Sequence, residues 1–234
     1  DAFSCSHRAH ASTDAITRFL PSFFGPMMNE EIYALNKSLE NPEKPSLAII
    51  GGSKVSTKIS VLKNLVYKLD NLIIGGGMAN TFLYARGSPM GKSLYEPEFK
   101  ETVNEIYKLA ERYNCKIYLP VDVVVAKNFI ENADNKLVSF NECPSDKMIL
   151  DIGEKSIELY KKIISSSKTI LWNGPLGAFE IKPFDKGTSE LAKYTSYITK
   201  NNKCVSVAGG GDTIAALNSI NVTEDFTYVS SAGG

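Results

Sequence analysis

Short β-branched runs alternate along the chain with amphipathic stretches of helical length. Strands are predicted at Ser46–Ile50, Asn71–Ile74, Lys116–Leu119, Thr169–Trp172, Lys203–Ala208 and Phe226–Val229. Helices are predicted at Asn29–Leu39, Val55–Leu69, Pro97–Tyr113, Glu154–Ile164 and Lys186–Ile198, each with apolar residues three and four apart. Such alternation marks successive βα units. The expected fold is therefore α/β: a doubly wound, Rossmann-like, mostly parallel six-stranded sheet flanked by helices in three αβα layers. The stretch Asn41-Pro42-Glu43-Lys44-Pro45 ends a helix ahead of the first strand and reads equally as a loop or a domain boundary.

Glycine placement carries more information than periodicity. Five strand ends run into glycine: Gly51-Gly52-Ser53-Lys54, Gly75-Gly76-Gly77, Asn173-Gly174-Pro175-Leu176-Gly177, Gly209-Gly210-Gly211-Asp212-Thr213, and Ser230-Ser231-Ala232-Gly233-Gly234. In a parallel sheet these ends share one edge, where ligands bind and where glycine lets the backbone come close. A single such pair would be a turn; five on one edge point to a nucleotide crevice.

Composition narrows the partners. With 26 basic and 26 acidic residues in 234 the chain has no net charge, so nucleic acid and anionic membrane are not expected and any anion must be held locally. The apolar runs, such as Leu47–Ile50 and the short strand Val121–Ala126, fall far below the ~18 residues of a membrane span. Cys5, Cys115, Cys143 and Cys204 are scattered without a CxxC pair, which predicts reduced thiols, no zinc site and a cytoplasmic setting. The chain opens Asp1-Ala2-Phe3 with neither initiator methionine nor signal peptide, so the interior of a longer protein is expected.

The tract Gly209–Thr213 ends a strand and opens a helix, where free amides and the positive end of the dipole hold phosphate and Asp212 reaches a phosphate-bound Mg²⁺. Asp and Thr there would also serve as an ordinary N-cap, though a cap needs no preceding glycines. Lys54 and Lys58 stand four apart at a predicted helix start, on one face, and an anion between them explains the pairing of like charges better than two solvated lysines do. The tract does not read as GxxxxGK followed by Ser or Thr, so it is no Walker A loop. Glu180, after the rigid turn from Trp172, suits ribose hydroxyls or solvent alike. His7-Arg8-Ala9-His10 is a compact cationic cluster able to grip a carboxylate or phosphate, with Arg8 bidentate; it is weak as a motif.

Taken in order, these segments resemble the phosphoglycerate kinase family, bacterial in type. The resemblance rests on Asp1-Ala2-Phe3, His7–His10, Gly51–Lys58, Gly75-Gly76-Gly77-Met78-Ala79-Asn80-Thr81-Phe82, Gly91-Lys92-Ser93-Leu94, Ile149–Gly153, Trp172–Glu180, Lys186-Gly187-Thr188 and Gly209–Thr213, across the whole chain. It implies reversible transfer of a phosphoryl group from 1,3-bisphosphoglycerate to ADP with Mg²⁺, giving 3-phosphoglycerate and ATP in glycolysis. It also implies the division of the chain: residues 1–24 end an amino-terminal substrate-binding domain, 25–41 form an inter-domain helix, and 42–234 are the nucleotide-binding domain without its carboxy-terminal tail. Most of the first domain would act from outside this chain, in cis, and a monomer is expected.

Carried over position by position, the resemblance gives Lys58 to the group in flight and Lys54 to the nucleotide phosphates. Asp212 would take the metal, and Gly210, Gly211 and Thr213 the phosphates. Glu180 would hold the ribose, Asn173 would face the phosphates, and Gly75 and Gly76 would line the adenine slot. Arg8, with Gly233 and Gly234, would contact the glycerate substrate. Two departures stand out: Ser4-Cys5-Ser6 replaces the family's frequent Gly-Thr-Ala, and Ala232 stands where the first of three glycines is usual, in a loop expected to lack its anchor. The fragment alone should bind nucleotide but turn over essentially nothing. The competing readings are a non-catalytic nucleotide-binding module and, fitting less well for want of G-x-G-x-x-G after the first strand, an NAD-dependent dehydrogenase domain.

Overall fold

In β1 (Ser46–Ile50) all five residues are buried, and they divide by parity: Leu47 and Ile49 join one apolar cluster, Ala48 and Ile50 another. A pleated strand sends successive side chains to opposite faces, so a strand apolar at every position must be covered on both. The computed structural model shows the cover. It describes residues 1–230 except Ala2, His7, Asn41 and Asn202, and leaves aside the side chains of 37–39.

The strands that follow are β2 (Asn71–Ile74), β3 (Lys116–Tyr118), β4 (Asp122–Ala126), β5 (Asn135–Ser139), β6 (Met148–Ile152), β7 (Thr169–Asn173), β8 (Val205–Gly209) and β9 (Tyr228–Val229). The helices are α1 (Pro26–Leu39), α2 (Ile59–Lys68), α3 (Gly76–Ala85), α4 (Lys100–Arg112), α5 (Glu154–Ser166), α6 (Lys186–Lys200) and α7 (Gly211–Ser219). Six strands form one sheet in the order β3-β2-β1-β7-β8-β9, parallel throughout, with α2, α3 and α4 supplying one apolar layer and α5, α6 and α7 the other. The expected three-layer, doubly wound α/β fold is what the chain forms. Between β1 and β7 the strand order reverses, which is where such sheets bind ligands.

Several local features depart from the sequence reading. The predicted helix Val55–Leu69 is broken: a 3-10 turn, Val55–Thr57, precedes Lys58, whose non-helical backbone separates it from α2. Lys54 is extended, so the two lysines do not share a helical face as their spacing suggested. The predicted helix from Pro97 likewise opens with a 3-10 turn, Pro97–Phe99, before α4. A separate antiparallel sheet, β5-β4-β6, was not expected; of it the sequence offered β4 alone as a short apolar run. Nor was α3. It has buried residues at six successive positions, Met78–Leu83, and so lacks the polar face that periodicity detects.

At the other end, α1 begins on Pro26, three residues before the predicted start, with proline in the first-turn position where its missing N–H costs nothing. Asp1 stands in for a cap, its carboxylate accepting the N–H of Met28 at 2.9 Å and of Met27 at 3.3 Å.

Candidate functional site

The loops after β1 and β7 meet backbone to backbone at the reversal point. Gly51 donates its N–H to Asn173 O at 2.9 Å, and the neighbouring Gly174 holds φ at +96° with its Cα facing the Gly51 carbonyl. A Cβ on Gly174 would sit 2.3 Å from the Gly51 oxygen, so neither the conformation nor the space admits a side chain. The indole of Trp172, fully buried, fixes the turn from below by donating Nε1–H to Gly174 O at 2.9 Å. The turn is also tied to the next strand end, because Gly174 donates its N–H to the buried Thr213 Oγ1 at 2.6 Å. At the end of β8, Gly210 takes φ +92° and swings the chain into α7. The first-turn amides of Gly211, Asp212 and Thr213 have no carbonyl one turn earlier to pair with. Gly211 lies open, with nothing within 4 Å of the place a Cβ would occupy.

Lys58 is half-buried over this junction. Its ammonium donates to Gly51 O at 3.0 Å and, in a close contact, to Asn173 Oδ1, while Asn173 Nδ2–H donates to Gly209 O at 2.9 Å. One amide side chain therefore orients the cation and links β7 to β8. Burial lowers the Lys58 pKa below the usual lysine value, opposed by the attraction of Asp212. That attraction places the carboxylate within electrostatic reach of the ammonium, with Asp212 itself exposed in the first turn of α7. Lys54 is exposed at the entrance of the 3-10 turn.

Beside this junction lies a cavity of about 600 Å³, large enough for a nucleoside. Gly52, Gly76, Leu176, Glu180 and Asp212 line it from the strand-end loops, and Phe129, Val123 and Ile149 from the antiparallel sheet and its flank. The small sheet is a wall of the cavity, held to the main body where Ala178 donates its N–H to Leu150 O at 2.8 Å and Ile149 donates to Ser93 Oγ at 2.8 Å.

Asp151 also reaches the cavity wall, from β6. Its buried carboxylate accepts the N–H of Gly187 and of Ile152, each at 2.8 Å, pinning the first turn of α6 to the small sheet. Burial pushes this carboxyl up to about 8, outweighing the two N–H donors; Asp185 pushes the same way and Lys186 opposes it. Gly177 and Gly187 are glycines for lack of room, since a Cβ on either would approach Asp151 Oδ1 to 2.3 or 2.5 Å.

The sequence-predicted residues thus fall into groups. Lys58, Asn173, Gly210, Gly211, Asp212 and Thr213 gather around the ends of β1, β7 and β8, with the Thr213 side chain turned inward to brace Gly174. Gly76, Glu180 and Asp212 line the cavity, whereas Gly75 lies beneath it, its N–H given to Ile50 O and its Cα packed on Leu176. Arg8 is exposed on the segment ahead of α1 and lines no part of the cavity, and His10 is exposed beside it. His7, Gly233 and Gly234 lie outside the described residues. The sequence reading gave no role to Asp151, Leu176, Phe129 or Glu96; Asp151 and Leu176 lay within tracts it quoted, but nothing in their spacing marks them as cavity residues.

A six-stranded parallel sheet whose glycine-built strand ends surround a lysine, a carboxylate and a helix start defines a doubly wound α/β protein with its candidate site at the point where the strand order reverses. The sequence model of "Phosphoglycerate kinase" matches residues 1–234. Relatives named phosphoglycerate kinase from Methylorubrum extorquens (strain PA1) and Zymomonas mobilis are 55% and 53% identical over all 234 residues. The structure of phosphoglycerate kinase from Coxiella burnetii matches with a TM-score of 0.86 at 44% identity, over 90% of this chain and 53% of that one. That from Pyrococcus horikoshii matches at 0.84 and 28% identity, over all of this chain and 58% of that one. The chain belongs to the phosphoglycerate kinase family. It spans 58–59% of the length of these two sequence relatives.

Proposed function

We propose that this chain is the nucleotide-binding portion of a phosphoglycerate kinase, working in the reversible transfer of a phosphoryl group from 1,3-bisphosphoglycerate to ADP, with formation of 3-phosphoglycerate and ATP. The reading is carried by the pairing of Lys58 with Asp212 across the ends of β1, β7 and β8: one cation for the phosphoryl group and, in the first turn of α7, one carboxylate for a metal. In such a transfer the bond from phosphorus to the glycerate carboxylate breaks as a bond to the terminal oxygen of ADP forms. The leaving group is a carboxylate, already stable as an anion, so no general acid is needed. What the reaction needs is positioning and charge neutralisation.

In this reading Lys58 stabilises the group in flight and Lys54 the nucleotide phosphates. The amides of Gly210, Gly211 and Thr213 receive phosphate oxygens, Asn173 aims Lys58, Glu180 takes the ribose, and Gly75 and Gly76 shape the adenine slot. The exposed carboxylate of Asp212 is a hard oxygen donor that suits Mg²⁺, and no group of three or more His, Cys, Asp and Glu among the described residues forms a metal cage. When bound, the metal would be held by Asp212 and would supply charge neutralisation to the substrate phosphates. Arg8, Gly233 and Gly234 are assigned to the glycerate side. Residues 1–24 are read as the end of a substrate-binding domain, 25–41 as an inter-domain helix and 42–234 as the nucleotide domain of a cytoplasmic, monomeric glycolytic enzyme. Four free thiols are consistent with a reducing compartment.

The test is calorimetric titration of the 234-residue chain with ADP and Mg²⁺, with NAD as the control. ADP binding without NAD binding is expected. Binding of NAD instead, or of neither nucleotide, would overturn the assignment of the cavity.

A further inference from the structure

Glu96 belongs to no motif, yet the residue is only 9% exposed and both its carboxylate oxygens are directed at one residue. Ser56 donates its backbone N–H to Oε2 at 2.9 Å and its hydroxyl to Oε1 at 2.6 Å. Ser56 is the middle of the 3-10 turn Val55–Thr57, the three residues that separate Lys54 from Lys58. Glu96 is anchored in its own right: its N–H donates to Thr81 Oγ1 at 3.1 Å, and the Thr81 hydroxyl donates to Gly77 O at 3.3 Å within α3. A line of hydrogen bonds therefore runs from α3, whose start lines the cavity, through Glu96 to the turn that carries both lysines.

A three-residue 3-10 turn has poor hydrogen-bond geometry and little stability of its own. This one holds itself by Lys58 N–H to Val55 O at 2.9 Å and Thr57 Oγ1 to Lys54 O at 2.9 Å; Val55 at its start is buried in the core, and Ser56 at its middle is held by Glu96. Glu96 adds a polar tie at the turn's centre, two hydrogen bonds to a carboxylate, a kind about twice as strong as neutral ones. Lysine is a flexible side chain, and misplacement of a reacting group by about 1 Å is worth roughly a hundredfold in rate.

Resting on the kinase reading above, we propose that Glu96 is a positioning residue: through Ser56 it fixes the turn from which Lys58 reaches the transferring phosphoryl group. Glu96 touches neither nucleotide nor phosphate in this scheme. It sets where the backbone of Lys58 begins.

The test compares Glu96→Ala, Glu96→Gln and Ser56→Ala in the full-length enzyme, measuring kcat, KM for ADP, melting temperature, and amide hydrogen exchange across residues 54–58. Glu96→Ala should lower kcat about tenfold or more with KM for ADP changed less than about threefold, and speed exchange at residues 54–58 but not in β1. Glu96→Gln keeps an acceptor for the Ser56 N–H and can donate to its hydroxyl oxygen, so it should recover most of kcat. Ser56→Ala, which retains the N–H bond, should fall between. Should Glu96→Ala fail to fold, the other two variants decide: wild-type kcat and exchange in Ser56→Ala, or a kcat in Glu96→Gln lowered about tenfold or more, overturns the inference. A Glu96→Ala enzyme turning over within about twofold of wild type overturns it while leaving the kinase reading intact. If the unmodified enzyme transfers no phosphoryl group, the kinase reading fails instead, and hydrogen exchange alone judges whether Glu96 anchors the turn.

Discussion

At the scale of single residues, burial sets the chemistry. Lys58 is a half-buried cation with its acceptors supplied by Gly51 and Asn173, so its charge is aimed before any ligand arrives. Replacing it with alanine should lower turnover of the full-length enzyme about a thousandfold while ADP affinity changes by less than about tenfold. Steady-state rates set against calorimetric affinity check this, and equal losses in both would remove Lys58 from the transfer step. Asp151 gives a second expectation. Its folded-state carboxyl holds a proton up to about pH 8, while in the unfolded chain the same group titrates near 4. An acid that binds its proton more tightly when folded adds stability at low pH and loses it as the pH rises through the folded value. The chain should therefore become less stable between about pH 5 and 8, and Asp151→Asn should flatten that slope; denaturant midpoints across the range measure both. A slope unchanged by the substitution would show that the two N–H donors keep the group ionised.

At the scale of elements, the strand-end loops act as one unit because they are joined through backbone. Gly174 offers the sharpest test. Alanine there would force a left-handed conformation costing about 1–2 kcal/mol and drive a methyl into the Gly51 carbonyl, which cannot move without displacing β1. The variant should melt several degrees lower and lose ADP binding; a normal melting curve would mean that the two loops separate easily. Thr213→Val should leave the buried Gly174 N–H without its acceptor and cost about 1–3 kcal/mol of stability, seen as a shift in denaturant midpoint at unchanged slope. The large sheet and the helices with one apolar stripe were legible because strands buried on both faces and such helices leave different periods in the sequence; α3, buried over six successive positions, was not. The 3-10 turn at Val55–Thr57 was not, since its three residues carry no period and the spacing of Lys54 and Lys58 imitates a helix. The small sheet was hidden for another reason: β5 is mostly exposed and β6 mostly half-buried, so neither shows clean alternation.

At the scale of the whole molecule, the chain holds one side of the proposed reaction. Phe19 and Phe23, ahead of α1, are 83% and 89% exposed, and Leu20, Phe24 and Met27 are exposed beside them. This exposed apolar surface faces the remainder of the enzyme on the kinase reading. On the kinase reading proposed above, in which turnover needs a second domain to close over the cleft and exclude water, the purified 234-residue chain is expected to bind ADP yet give no steady formation of ATP in a coupled assay. Sustained turnover by a clean preparation would show that these residues suffice.

The sequence by itself determined the layers, the parallel sheet, and the glycines, lysines and carboxylate of the strand ends, because these are local: periodicity, missing side chains and charge are written residue by residue. Tertiary structure alone decided that Asn173 orients Lys58, that Thr213 turns inward to brace Gly174, that Asp151 pins α6 to the cavity wall, and that Glu96 grips Ser56 from forty residues away. Those are contacts between elements far apart in the chain. A hydrogen bond formed only after two elements pack leaves no pattern in the sequence of either one.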